Sequence, residues 1–183
     1  VKSLGAINIY AAFNANKEEF ELTVLNSTFN CNGFKSIRCK TNTKIDGCTF
    51  NDQKRYSMQF QANSQAASEK VVFINNTVND PCVTSGEPFA AGVQISHSQL
   101  CEEVALTISG NTLESELFSD LKFAYDWEEG CSSCLANMQI TTCSLNGNQI
   151  VAGQCMPIND EAYEVLNEVA YTYDEATSTY TIY

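Results

Sequence analysis

The chain has 183 residues, enough for one domain with a real core and short for two. Its 44% apolar content and three prolines describe a folded chain rather than a disordered one. Twenty-two acidic against ten basic residues give a net charge of −12, which repels a phosphate backbone and excludes nucleic acid as a partner class.

No apolar run of about 18 residues is present, so insertion into a membrane as a helix is not expected. The opening VKSLGAINIY lacks the charged-then-apolar-then-small pattern of a secretory leader. Charge is unevenly spread. Lys35, Arg38, Lys40, Lys44, Lys54 and Arg55 supply six of the ten basic residues within a window of 21, and none follows Asp126. Nine cysteines are many for a reducing compartment and point to an extracellular or cell-surface setting.

In chain order, AINIYA opens as a strand with Ile7 and Ile9 on one side, and TVLNSTFN from Thr23 follows. KSIRCK places Ile37 and Cys39 on one face, and TKIDGCTFND, 43–52, then repeats the bent pattern. YSMQFQ, with Met58 and Phe60, precedes VVFINNTVND from Val71. AGVQIS, with Val93 and Ile95, precedes LTISGNTLES from Leu106. DLKFAY, with Leu121 and Phe123, precedes CSLNGNQIVA from Cys143.

The five bent strings align on a closing apolar residue: Phe29, Phe50, Val78, Leu113 and Ile150, at spacings of 21, 28, 35 and 37. Five positions earlier stand Val24, Ile45, Phe73, Ile108 and Leu145; two positions earlier stand Ser27, Cys48, Asn76, Asn111 and Asn148. One unit written five times with lengthening insertions is the signature of a solenoid. Beyond it, Ala162, Val165, Leu166 and Val169 fit a short helix or a strand, and VAYTYDEATSTYTIY reads as a hairpin around Asp174–Ser178.

This pattern, over residues 5 to 156, resembles the right-handed parallel β-helix superfamily, the fold of pectate lyases, polygalacturonases and phage tailspikes. The resemblance implies an all-β chain of about five to six coils over 1–156 with a capping segment at 157–183. It also implies a stacked asparagine ladder, here Asn76, Asn111 and Asn148 with Cys48 filling one place, since amides at strand spacing hydrogen-bond along the axis.

Enzymes of that superfamily work on the outward positions of one strand stack. Here those positions are Arg38, Gln59, Gln94 and Lys122, with Lys40, Gln61, Ser96 and Ala124 beside them, and they contain no carboxylate. A glycoside hydrolase needs two positioned carboxyl groups, and a calcium-dependent lyase needs aspartates around its metal. Arg38, Lys40, Gln59, Gln61, Gln94 and Ser96 offer instead the donors that grip the hydroxyls or carboxylates of a sugar chain, anionic glycans included. Trp127, the only tryptophan, is a candidate for stacking on a sugar ring or for packing a loop. His97 is flanked by Ser96 and Ser98, but a Ser-His pair needs a geometry that adjacent residues do not provide, so it reads as a surface histidine. No cofactor is expected; a calcium ion near Asp126, Glu128 and Glu129 would lack the rhythm of a dedicated loop.

Cys82, Cys101, Cys131, Cys134, Cys143 and Cys155 are the disulfide candidates, whereas Cys39 and Cys48 fall at inward positions and read as buried thiols. Asn26 in NST and Asn75 in NNT are glycosylation acceptor sequons. The functional expectation is a non-catalytic extracellular or cell-surface module for adhesion or glycan interaction, with a polysaccharide or host glycan as partner. The alternative is a polysaccharide-active enzyme, a lyase rather than a hydrolase, with acids on the inserted loops 79–92 or 114–130 (Asp80, Glu87, Glu114, Glu116, Asp120).

Overall fold

The computed structural model describes residues 6–9, 22–30, 35–39, 42–51, 56–62, 69–79, 93–97, 104–114, 125–127, 138–152 and 171–182. All of the regular structure among them is β. The strands come in threes. The first repeat holds β1 (Ile7–Ile9), β2 (Leu22–Leu25) and β3 (Thr28–Asn30), and the second holds β4 (Lys35–Cys39), β5 (Thr43–Asp46) and β6 (Thr49–Asn51). The third holds β7 (Tyr56–Ala62), β8 (Glu69–Ile74) and β9 (Thr77–Asn79); the fourth holds β10 (Val93–His97), β11 (Val104–Ser109) and β12 (Thr112–Glu114). The fifth holds β13 (Tyr125–Trp127), β14 (Met138–Thr141) and β15 (Cys143–Leu145). Strands β16 (Asn148–Ala152), β17 (Tyr171–Asp174) and β18 (Thr179–Ile182) complete the set.

Each strand pairs in parallel with its counterpart in the next repeat. Sheet A is ordered β1-β4-β7-β10-β13, sheet B runs β2-β5-β8-β11-β14, and sheet C begins β3-β6-β9-β12-β15. The alternation foreseen from sequence is clear in sheet B, where Val24, Ile45, Phe73 and Ile108 are buried and Ile140 takes the place expected for Leu145; in sheet A Ile37 and Met58 are buried, and so are their neighbours Ser36 and Ser57. In sheet C the inward column is Phe29, Phe50, Val78, Leu113 and Leu145. Phe29 and Phe50 stack at 5.0 Å with an interplanar angle of 7°, and Phe73 joins Phe50 from the adjoining sheet at 5.9 Å. Burying one such ring contributes roughly 2–3 kcal/mol of hydrophobic free energy.

The corner from sheet B to sheet C has the same two-residue construction every time. Its first residue takes a left-handed conformation: Asn26 (φ 48°), Gly47 (φ 68°), Asn75 (φ 54°), Gly110 (φ 65°) and Thr142 (φ 52°). Glycine and asparagine adopt that region at little cost, which is why they dominate the position. The second residue turns inward. In three repeats it is Cys48, Asn76 and Asn111, all buried. Asn76 Oδ1 accepts from the Cys48 N–H at 2.9 Å, and Asn111 Oδ1 accepts from the Asn76 N–H at 2.9 Å. Their amide groups donate in turn to the Ile45 and Phe73 carbonyls at 3.2 and 2.8 Å. A buried chain turn thereby leaves none of these polar groups unsatisfied.

The fifth repeat departs from the sequence alignment. Thr112 pairs with Ser144 and Leu113 with Leu145, so Leu145 is the closing residue and Cys143 stands at the inward corner place expected for Asn148. Successive closing residues Phe29, Phe50, Val78, Leu113 and Leu145 are therefore 21, 28, 35 and 32 residues apart. Asn148 belongs to the next strand. Asn146 (φ 47°) and Gly147 (φ 80°) form a two-residue turn that folds β16 back antiparallel to β15. This is the Asn-Gly hairpin turn whose twist matches that of strands.

Strand β16 then pairs in parallel with β18, and β17–β18 is an antiparallel hairpin closed by residues 175–178. The expected hairpin around Asp174–Ser178 is thus present, and it extends sheet C to eight strands. The helix-or-strand alternative at 162–170 lies outside the described residues.

Candidate functional site

Parallel in-register pairing turns sequence positions into straight rows. On sheet A the register joins Asn8, Arg38, Gln59 and Gln94 in one row, as expected, and Gln61 with Ser96 in another. The row then continues to Asp126, where the sequence reading had placed Lys122. Residues 121–124 and Lys40 lie outside the described set. Trp127 stands in register with Ile95, Phe60 and Cys39, the column of alternating apolar positions, and not in the polar row. Arg38 and Asp126 are separated by three strand spacings, about 14 Å.

A longer row, not anticipated from sequence, crosses sheet C. Thr28, Thr49, Thr77, Thr112 and Ser144 are consecutive register partners, followed by Gln149, Thr179 and Asp174 on the three added strands. All eight positions are exposed or half-exposed, and they alternate with the buried column beneath. Eight strands at about 4.8 Å give a polar row about 34 Å long. Beside it runs a second ladder, in which Asn51 Nδ2 donates to Asn30 Oδ1 at 2.8 Å and Asn79 Nδ2 donates to Asn51 Oδ1 at 3.0 Å. The signal was in the sequence as TFN, TFN, TVN and TLE. The repeat alignment puts Thr28, Thr49, Thr77 and Thr112 one place before each closing residue, but it gave them no role, because hydrophobic periodicity reads the core and not the surface.

On the outer side of sheet B, Lys44 Nζ meets Asp46 Oδ2 at 3.1 Å, and Asn75 Nδ2 donates to Asp46 Oδ1 at 3.0 Å. The Asn75 bond and the lysine hold the Asp46 carboxyl below its ordinary range. Asn26 and Asn75, the sequon asparagines, are both exposed. Their side-chain oxygens lie over the glycine of the following repeat, Asn26 over Gly47 and Asn75 over Gly110.

Among the disulfide candidates, Cys143 is a free, buried thiol. The correction has a simple cause: Cys143 holds the inward corner place, where its Sγ donates to the Thr141 carbonyl at 3.4 Å and receives the Asn111 amide at 3.7 Å. Cys82, Cys101, Cys131, Cys134 and Cys155 lie outside the described residues. Cys39 and Cys48 are buried, as expected. Cys48 Sγ sits 3.7 Å from the Val24 and Asp46 carbonyls, and burial pushes its thiol pKa up. Among the described residues no group of three or more His, Cys, Asp and Glu is placed to hold a metal ion.

Comparisons with protein-family models, with curated proteins and with solved structures found no match to this chain.

Proposed function

We propose that this chain is a right-handed parallel β-helix of five coils that acts outside the cell as a non-catalytic glycan-interaction module. The observation that carries the reading is the polar row Thr28–Thr49–Thr77–Thr112–Ser144–Gln149–Thr179. It combines hydroxyls and an amide at one repeat distance, on a rigid sheet, with a single carboxylate, Asp174, at its end. The seven positions before Asp174 are all uncharged. Hydroxyls and amides both donate and accept, which suits a ligand that presents repeated hydroxyl groups. A row fixed by sheet pairing also loses little entropy on binding. The sheet A row of Arg38, Gln59 and Gln94, flanked by the basic window, is a second contact surface in this reading, suited to acidic sugars.

The superfamily likeness to pectate lyases is read here as one of architecture. The alternative, a lyase with acids on the inserted loops, draws on Asp126, which the register brings into the row of Arg38. Against it, the positions between them in that row are Gln59 and Gln94, with no second carboxylate.

The test is a glycan array with the purified chain, with and without calcium, followed by a product assay on every hit. Binding without product, abolished by Thr77→Lys or Thr112→Lys, is the expected result. Unsaturated or reducing sugar products would replace the module with an enzyme.

A further inference from the structure

The added strands of sheet C carry a second arrangement on the opposite face from the polar row. Tyr173 on β17 is the register partner of Tyr180 on β18, which is in turn the partner of Ile150 on β16, so the two tyrosines continue the inward column beyond the stack. Their ring centroids are 4.6 Å apart at an angle of 33°. Tyr173 Oη donates to Asn148 Oδ1 at 3.3 Å, although Asn148 is on β16, two strands away. To reach it the side chain must lie down along the sheet, because two strand spacings are about 9.6 Å. The Tyr180 ring lies against it, and Tyr173 as a whole is still 43% exposed.

A tyrosine in a cross-strand pair needs only its neighbour's ring to stabilise a hairpin. Here the hydroxyl is tied as well, so a half-exposed ring is held in place with the Asn148 amide at its far end. From these features we infer that Tyr173, Tyr180 and Asn148 form a stacking platform for a neutral hexose ring. The sugar's apolar C–H face lies on the Tyr173 ring, and the Asn148 amide N–H donates to a ring hydroxyl. Charge selects among sugars. Asp174 and Glu175 follow directly and are exposed, and no Lys or Arg occurs after Lys122, so a uronate or sulfated chain is repelled.

The inference rests on the glycan-binding reading above and adds a subsite to it. The experiment is a titration of the full chain with glucose, mannose and galactose hexasaccharides, with a polygalacturonate hexamer and with a Lys/Arg-rich decapeptide. Tyr173→Ala, Tyr173→Phe and Thr77→Lys are titrated in parallel, and folding is checked by thermal melting. At least one neutral hexasaccharide should bind the parent. Tyr173→Ala should lose about tenfold or more, as removal of a stacking ring does, while Tyr173→Phe keeps the ring and stays within about threefold. Tyr173→Ala binding as tightly as the parent would overturn the platform and leave the polar row standing. No binding of any sugar, neutral or acidic, would overturn both readings. Binding of the acidic hexamer alone would overturn the platform and leave the sheet A row of the glycan reading standing, and binding of the peptide alone would overturn both.

Discussion

The side-chain oxygen of Asn26 lies 2.5 Å from where a β-carbon on Gly47 would be. Asn75 and Gly110 stand in the same relation at 2.6 Å. The left-handed corner column therefore alternates a residue that folds its amide over the next level with one that has no side chain to obstruct it. The requirement is mutual: asparagine at one level demands glycine at the next.

Gly47→Ala should accordingly cost about 2–3 kcal/mol, combining strain at positive φ with displacement of the Asn26 amide. Gly147→Ala has the same kind of strain (φ 80°) but meets nothing within 4 Å, so it should cost only about 1 kcal/mol. Urea denaturation of both variants and of Asn26→Gly/Gly47→Ala resolves the two contributions. The double variant should recover the part due to the clash and keep the part due to φ.

Asn76→Ala removes the acceptor for the Cys48 N–H and the donor to the Ile45 carbonyl, both buried. Two unsatisfied backbone groups at about 1–3 kcal/mol each predict a loss of about 2–5 kcal/mol. Asn30→Ala, on the exposed ladder, should cost under about 1 kcal/mol, since water replaces its partner. Equal losses in the two denaturation curves would contradict the distinction between buried and exposed ladders.

The Asp46 carboxyl is held below its ordinary value by the Asn75 amide and by Lys44. A depressed folded value means that its contribution is complete above the unfolded value near 3.9 and is lost as pH falls through the folded one. Asp46→Asn should flatten that part of the stability profile below about pH 4 and leave the rest unchanged. Because the group is largely solvated, the amplitude is expected to be small. Melting temperatures at pH 2.5, 4 and 6 read it directly.

Cys48 and Cys143 are enclosed at the corner column. Neither should react with a maleimide while the chain is folded, and both should react on unfolding in denaturant, as peptide mapping of the labelled sites will show. Labelling of Cys143 in the folded state, or its recovery in a disulfide-linked peptide, would contradict its placement.

How far the sequence carried these conclusions depended on which side of the sheet a residue faced. Inward residues repeat as apolar types at one spacing, and Val24, Ile45, Phe73 and Ile108 were legible for that reason. The fifth repeat was misread because Asn148-Gln149-Ile150 imitates Asn111-Thr112-Leu113. The true match, Cys143-Ser144-Leu145, puts cysteine at the ladder place, as Cys48 does in the second repeat. The Asn146–Gly147 pair was the decisive signal, since it marks a hairpin and so ends the parallel run. The threonine column of sheet C was visible in the repeat alignment but carried no reading, because threonine on a solvated strand face is ordinary at any one position. Its meaning comes only from register, which stacks Thr28, Thr49, Thr77 and Thr112 across different repeats.

The constancy of the sheet B to sheet C corner has a further consequence. Across it the chain takes five residues from buried column to buried column in every repeat, Val24 to Phe29 and Ile45 to Phe50 among them, so the variation in repeat length, from 21 to 35 residues, lies elsewhere, while the Asn–Gly relation makes neighbouring corners complementary. Joining Phe29 directly to the residue after Val78 would remove two repeats and set Asn26 against Gly110, keeping the relation intact. For this molecule the natural step of growth or loss is therefore a pair of repeats. The polar row on sheet C would lengthen or shorten with each such step, its remaining residues unchanged.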